Sequence, residues 1–317
     1  MVDLKKFIEA QKILKQKGLT SPLIPFPHKT TSGNPILLKA ENLQPSGSFK
    51  IRGAVYCLST LSAEQKAKGV IAYSTGNHAQ SVALAAKSLG IKATIVMSPD
   101  APQFKIDATK EYGATVLMSE PSSHARRIMA ENLAQLHGYY LVPPYDNLDV
   151  IIGQGTIGIE ILEKIQPAAI FVPIGGGGLI SGIALAVKKS NCSAKIIGVE
   201  PELENDAVQS FKGGKRVSLP GPSNSIADAI KVQTLGDITY PIIRDYIDDV
   251  VSVSEQAIID ATLLHAEKAH LIVEPTGALA LAAALTYKHR LETTKPVVCI
   301  ASGGNFPCKN LCQLVQL

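Results

Sequence analysis

Residues 70–98, VIAYSTGNHAQSVALAAKSLGIKATIVMS, decide the fold. VIAYS (70–74) is apolar and carries β-branched residues, as a buried strand does. GNHAQSVALAAKSLG then places its apolar residues at helical spacing and stops at Gly90, and KATIVMS (92–98) reads as the next strand. Strands separated by a helix cannot close as a hairpin. They need a crossover connection, which makes the sheet parallel.

The same alternation continues outward. A helix is expected from Pro102 to Gly113, a strand at ATVLMS (114–119), a helix through Ala125 to His137, and a strand at YYLV (139–142). A second series follows PPYDN (143–147). GQGTIGIEILEKI (153–165) predicts a helix, AAIFVPIG (168–175) a buried strand, residues 179–189 a helix and KIIGVE (195–200) a strand. DVVSVS (249–254), a long helix after Glu255, a helix opened by Pro275 and the strand VVCIAS (297–302) complete a second parallel sheet. The stretch 201–237 is the least regular part and a place for site residues. The expected fold class is α/β with two open parallel-sheet domains: 67–145 the smaller, 1–66 with 146–317 the larger.

Composition narrows the partners. With 317 residues, 46% hydrophobic and 18% charged, the chain can bury two cores and is not disordered. The net charge of +4 is scattered, with no basic run or interleaved aromatics, so neither nucleic acid nor a membrane is expected as partner, whereas a small anionic ligand fits. Five cysteines, odd in number and without a C-x-x-C pair, read as reduced thiols of a cytoplasmic protein; Cys308 and Cys312 would share one helix face. MVDLKKFIEAQKIL is helical in period and not a secretory signal, and GALALAAALTY (277–287) is too short to span a bilayer.

Three strand-to-helix loops are chemically unusual: STGNH (74–78), GGGGL (175–179) and SGGN (302–305). Ligands of open parallel sheets bind where such loops meet. Four consecutive glycines at a helix start let several amides converge on one anion, and a phosphate is the natural guest. A dinucleotide loop is the competing reading, since Gly176, Gly178 and Ser181 nearly satisfy G-x-G-x-x-G and Glu200 ends the next strand. That reading leaves no role for Lys50, Asn77 or the pair Gly303 and Gly304. Pyridoxal phosphate uses them: its aldehyde requires a lysine, its phosphate an amide cradle, and its ring a polar partner. Lys50, in PSGSFKIRGA (45–54), is the candidate lysine.

SGSFKIRGA, STGNHAQ, GQGT, GGGGLISG, VEPE, IAD, VEPTG and SGGN occur here in the order of the serine/threonine dehydratase and serine racemase family of fold type II pyridoxal phosphate enzymes, which the chain resembles over nearly its whole length. The resemblance implies a cofactor in the cleft between the domains. Lys50 forms the Schiff base, Phe49 lies against the ring, Asn77 bonds the phenolic oxygen, Gly175, Gly176, Gly177 and Gly178 hold the phosphate, and Ser302 faces the pyridine nitrogen. The substrate carboxylate falls to Ser74, Thr75, Gly76, Asn77 and His78, and Arg126 aligns with an arginine that senses substrate in racemase relatives.

The resemblance further implies a homodimer and a divalent cation, magnesium, calcium or manganese, held by Glu200, Asp206 and the Glu204 carbonyl. Racemases of the eukaryotic type carry a serine as second acid/base where this chain has Thr75, which keeps the hydroxyl but adds a methyl and a stiffer side chain. Ala229 replaces the glycine usual in I-A-D-G, and Tyr145 stands where mammalian racemases have an asparagine used in nucleotide regulation. The expected activity is dehydration of L-serine and L-threonine, with serine racemisation as an additional activity. The alternatives are L-threo-3-hydroxyaspartate dehydration, a primary racemase, β-replacement on the same fold, and a binding protein that keeps the cofactor without turnover.

Overall fold

The computed structural model describes residues 2–221, 224–289, 291–292 and 295–314. Its strands are β1 (Leu23–Lys29), β2 (Pro35–Ala40), β3 (Val70–Tyr73), β4 (Ala93–Met97), β5 (Thr115–Met118), β6 (Tyr140–Leu141), β7 (Ala169–Pro173), β8 (Lys195–Pro201), β9 (Asp249–Val253) and β10 (Val297–Ala301). They form a four-stranded sheet ordered β5-β4-β3-β6 and a six-stranded sheet ordered β1-β2-β10-β7-β8-β9. The small sheet is parallel throughout.

The large sheet is not entirely parallel as expected, because β1 pairs with β2 antiparallel. LIPFPHK carries two prolines, which lack the amide a central strand must donate, so this strand sits at the edge and its register shifts between Phe26 and Lys29.

The centre of the large sheet is buried on both faces, which explains the continuous apolar runs of β7 and β10. Ala169, Phe171, Val297, Cys299 and Ala301 face the helix Pro275–Thr286. Ile170, Val172, Val298 and Ile300 face the other way, toward Ile157 and Ile161 of the helix Leu148–Leu162 and Ile180 and Ile183 of the helix Gly178–Lys189. Each such aliphatic side chain contributes roughly 1.5–3 kcal/mol by its burial. The core of the small sheet recruits Ile51, Ala54, Val55 and Leu58 from the helix Lys50–Thr60. That helix therefore links residue 50 to the small sheet.

Three helices cross closely through glycines. A Cβ on Gly153 would stand 2.6 Å from the Gly53 Cα, and one on Gly182 would meet the Ile151 carbonyl at 2.2 Å. The glycine of the R-G segment is thus a packing requirement that fixes the start of the helix Lys50–Thr60. The helix Leu148–Leu162 begins five residues before the expected Gly153, because Asn147 Oδ1 accepts from the Val150 amide at 3.1 Å and caps it there. No helix among the described residues is long and apolar enough to cross a membrane.

Both sheets contain a topological switch. In the small sheet β4 and β5 extend to one side of β3 and β6 lies on the other; in the large sheet β8 and β9 extend from one side of β7 and β10 lies on the other. The crevices of open sheets lie at these points. The loops after β3 and β6, and those after β7 and β10, therefore border the two crevices.

Candidate active site

The two switch points face each other, and Lys50 lies between them. SGGN pairs with the segment before Lys50: Ser48 bridges Gly303 in antiparallel fashion, the Phe49 amide donates to the Ser302 carbonyl at 3.0 Å, and the Gly304 amide donates to the Gly47 carbonyl at 2.9 Å. Behind Lys50, Arg52 is fully buried in a fork of two carboxylates, with Nε 2.7 Å from Glu41 and Nη1 2.6 Å from Glu160. Nη1 also reaches Thr156 Oγ1 at 3.2 Å, and Lys39 Nζ joins Glu160 at 2.6 Å. The first turn carrying Lys50 is thereby anchored on three sides.

Lys50 Nζ donates to the Pro144 carbonyl at 2.7 Å and lies 5.1 Å from the centre of the Phe49 ring. That carbonyl is its one hydrogen-bond partner among the described residues, and burial lowers its pKa from 10.5 to about 8. A lysine in that state supplies neutral amine near physiological pH, as a nucleophile or base must.

Asn77 opens the helix Asn77–Leu89 and is held from both sides. Its Nδ2 donates to Glu274 Oε1 at 2.6 Å, and its Oδ1 accepts from Asn305 Nδ2 at 2.8 Å. Ser74, Thr75 and Gly76 form the turn before this helix, with the Gly76 amide donating to Ser74 Oγ at 3.2 Å. First-turn amides have no intrahelical partners, so this end of the helix suits a carboxylate. The His78 ring is turned away: Nε2 donates to the Val142 carbonyl at 2.9 Å, and burial, then the Lys50 charge, lower its pKa to about 3. His78 stays neutral and offers a substrate its backbone amide only. Arg126 also stays local, donating from Nη2 to Ser123 Oγ at 3.1 Å.

The glycine loop sits under Tyr145. A Cβ on Gly176 would stand 2.4 Å from the Tyr145 ring, one on Gly178 would meet Tyr145 at 2.9 Å, and Gly177 adopts φ +89°, a left-handed conformation that favours glycine. The loop is held in place by residues that spacing alone did not single out. Thr239 Oγ1 donates to the Gly176 carbonyl at 2.7 Å, and Asp146 accepts from the amides of Asp237 at 2.9 Å and Ile238 at 2.8 Å. PPYD thus touches Lys50 through Pro144, the loop through Tyr145 and the Thr239 turn through Asp146.

A phosphorylated pyridine aldehyde fits these residues. Side chains on Gly175 to Gly178 would collide with Ile230, Tyr145 and Thr239, so this loop must keep its backbone bare, Lys50 is a desolvated amine, and Ser48 Oγ and Glu274 Oε2 are buried without a protein partner among the described residues. Residues 14–303 match the family model described as pyridoxal-phosphate dependent enzyme. The chain belongs to this family of pyridoxal-phosphate dependent enzymes. It is 44% identical over 314 residues to L-threo-3-hydroxyaspartate ammonia-lyase of Saccharomyces cerevisiae, covering 99% of this chain and 93% of that protein. It is 44% identical to serine racemase of Schizosaccharomyces pombe, covering 85% and 83% of the two chains. Among solved structures it superposes on maize serine racemase with a TM-score of 0.89 at 38% identity, covering 99% of this chain and 97% of that one. Serine racemases, threonine dehydratases and hydroxyaspartate ammonia-lyases are all among its relatives.

For a pyridoxal phosphate enzyme the state of Lys50 has a kinetic consequence. Capture of the cofactor by apoprotein is expected to accelerate with rising pH and level off near pH 8, where Lys50 has lost its proton, rather than near 10.5. The growth rate of the visible absorbance measures it.

The acidic residues Glu200, Glu204 and Asp206 are all buried near the end of β8. Both Glu200 oxygens accept amides at the start of the helix Asp206–Gly213, from Ala207 at 3.1 Å and Val208 at 2.8 Å. Burial and then Asp206 raise the Glu200 pKa, while burial raises that of Asp206 to about 7, and Asp206 Oδ2 has no protein partner among the described residues. No group of three or more His, Cys, Asp or Glu side chains among the described residues is arranged to hold a metal ion.

Proposed function

We propose that the chain is an ammonia-lyase that dehydrates L-serine and L-threonine to the 2-oxo acid and ammonia. The observation that carries this reading is the desolvated Lys50, which no carboxylate pairs among the described residues, set where the two switch points meet, between an amide-rich helix start and a glycine loop. When bound, pyridoxal phosphate supplies an electron sink for the pair left at Cα. Gly175 to Gly178 take the phosphate, Phe49 covers the ring, Asn77 meets the phenolic oxygen and Ser302 the pyridine nitrogen. The amides of Ser74 to His78 orient the substrate carboxylate. Lys50, as free amine, removes the Cα proton; the β-hydroxyl leaves with the C–O electron pair and takes up that proton to depart as water, and the released enamine adds water to give the 2-oxo acid and ammonia. A hydroxyl at Ser302, in place of a carboxylate, leaves the pyridine nitrogen without a fixed negative partner, which favours expulsion of the hydroxyl over a long-lived carbanion.

A second reading, L-threo-3-hydroxyaspartate dehydration, is favoured by Lys105. This buried ammonium stands 3.9 Å from where a Gly76 Cβ would be and 3.1 Å from Asp228, where a second substrate carboxylate could reach it. The yeast relative bears that name. Thr75 stands in the same loop as the candidate second acid/base for racemisation. Oxo acid and D-serine formation from L-serine, L-threonine and L-threo-3-hydroxyaspartate, with pyridoxal phosphate and magnesium present, tests these readings. Oxo acid released fastest from serine or threonine supports the first, fastest from hydroxyaspartate the second. D-serine without oxo acid, or no product at all, contradicts both.

A divalent cation at Asp206 and the Glu204 carbonyl, beside Glu200, is part of the same proposal, supported by the buried acids and the unpartnered Asp206 oxygen. A chelator is then expected to lower the melting temperature by several degrees, and Asp206→Ala to abolish that response. A chelator effect unchanged in the variant would refute the site. We also assign the chain to the cytoplasm, supported by five unpaired cysteines, and to a homodimer. Leu43 and Ile272, 55% and 40% exposed on segments joined by the Asn42 Nδ2 to Ile272 carbonyl bond, offer the apolar surface for a second copy.

A further inference from the structure

We propose that Glu274 is a positioning residue for the cofactor: its carboxylate fixes the Asn77 amide and sets the charge at the phenolic edge of the bound ring. This rests on the reading in which Asn77 meets the phenolic oxygen.

The Asn77 amide has only one acceptable orientation. Asn305 Nδ2 donates one proton to the Ser46 carbonyl at 2.8 Å and the other to Asn77 Oδ1 at 2.8 Å. Opposite it, Glu274 Oε1 accepts from Asn77 Nδ2 at 2.6 Å. Flipping the amide would set a donor against a donor and an oxygen against a carboxylate. With the orientation fixed, one Nδ2 proton remains for a ligand. Asn305 alone fixes only the oxygen side; Glu274 completes the clamp.

The pair lies directly beside the loop that carries Ser302. A Cβ on Gly303 would stand 2.5 Å from Glu274 Oε1 and 3.1 Å from Asn77 Nδ2, so the first glycine of SGGN is required by this contact. Glu274 is 1% exposed, its backbone amide bonds the Gly303 carbonyl at 3.0 Å, and its second oxygen, Oε2, has no partner among the described residues. A buried, half-satisfied carboxyl beside the loop that carries Ser302 is unlike a core residue.

Its charge is balanced among few neighbours. Glu274 immediately precedes the helix Pro275–Thr286, whose first-turn amides favour an anion. Lys105 faces it from the helix Gln103–Glu111, Asp228 from the turn Asp228–Ile230, and Asn77 from the helix Asn77–Leu89. Burial raises its pKa to about 7, against the pull of Lys105. An anion at this edge favours proton retention on the bound cofactor. Removing it lowers the pH at which the visible band changes.

The test compares the holoproteins of Glu274→Gln, Glu274→Ala and Asn77→Ala with the native protein, reading cofactor dissociation and the pH midpoint of the visible band. Glu274→Gln keeps an acceptor for Asn77 and removes the charge, so cofactor affinity should stay within about threefold while the midpoint falls by about one unit. Glu274→Ala should also weaken cofactor binding roughly tenfold. Asn77→Ala should move both quantities. If Asn77→Ala moves them and neither Glu274 variant does, the proposal is wrong although the placement of Asn77 stands. If Asn77→Ala moves neither, the placement of Asn77 is wrong and the proposal falls with it. Should Glu274→Ala not fold, the midpoint of Glu274→Gln decides alone.

Discussion

Lys50→Ala is expected to remove the visible absorbance of the bound cofactor and to lower turnover by at least about a thousandfold, while the protein stays folded. Among the described residues Lys50 Nζ makes one hydrogen bond, to the Pro144 carbonyl, whose loss costs about 1 kcal/mol and shifts the melting temperature only slightly. Other buried lysines nearby cannot replace it: Lys105 is paired with Asp228 at 3.1 Å and Lys39 with Glu160 at 2.6 Å. Absorbance, melting temperature and oxo acid release on one preparation separate loss of chemistry from loss of fold. A variant that keeps native absorbance and rate would contradict the assigned role of Lys50.

Arg52→Ala is expected to act on stability instead, lowering it by about 3–5 kcal/mol at neutral pH. It would leave Glu41 and Glu160 buried with Lys39 as their remaining cation. Equilibrium urea unfolding measures the loss, and a change below about 1 kcal/mol would show that the network is not holding the fold. The pH dependence has a definite sign. Burial acts to raise the Glu160 pKa, but Arg52 and Lys39 outweigh it and hold the group below the ordinary carboxylate range. Its contribution is present above the unfolded value of about 4 and is lost as pH falls through the lower folded value. Without Arg52 burial dominates and the folded pKa rises, so the variant instead loses stability as pH rises above about 4. The gap between native and variant should therefore narrow on acidification from pH 7 to pH 4.5.

Periodicity made the framework readable in the chain. From Val70 to Leu141, strands and helices alternate with capping residues at their ends, and Gly90 and Gly138 end helices in the left-handed conformation. Proline-containing β1 was not readable, since its identity comes from an antiparallel partner and an edge position. The helix Lys50–Thr60 was hidden because it begins inside a site loop and without a side-chain cap. In the site, unusual residue types, a lysine after S-G-S-F and four glycines, were conspicuous by themselves. Glu274 and Asn305 stood inside the quoted segments VEPTG and SGGN, yet their roles arise only once residues 77, 274 and 305 meet. Asp146 and Thr239 carried no signal beyond ordinary polar residues, because their work is to hold backbone.

The most direct measurement is to treat holoprotein with borohydride, digest it and locate the pyridoxyl group by mass spectrometry. Convergence of the two switch points on the desolvated amine of Lys50 predicts the label on the peptide containing Lys50 and on no other. A label on Lys39, Lys105 or a surface lysine, or none at all, would contradict it.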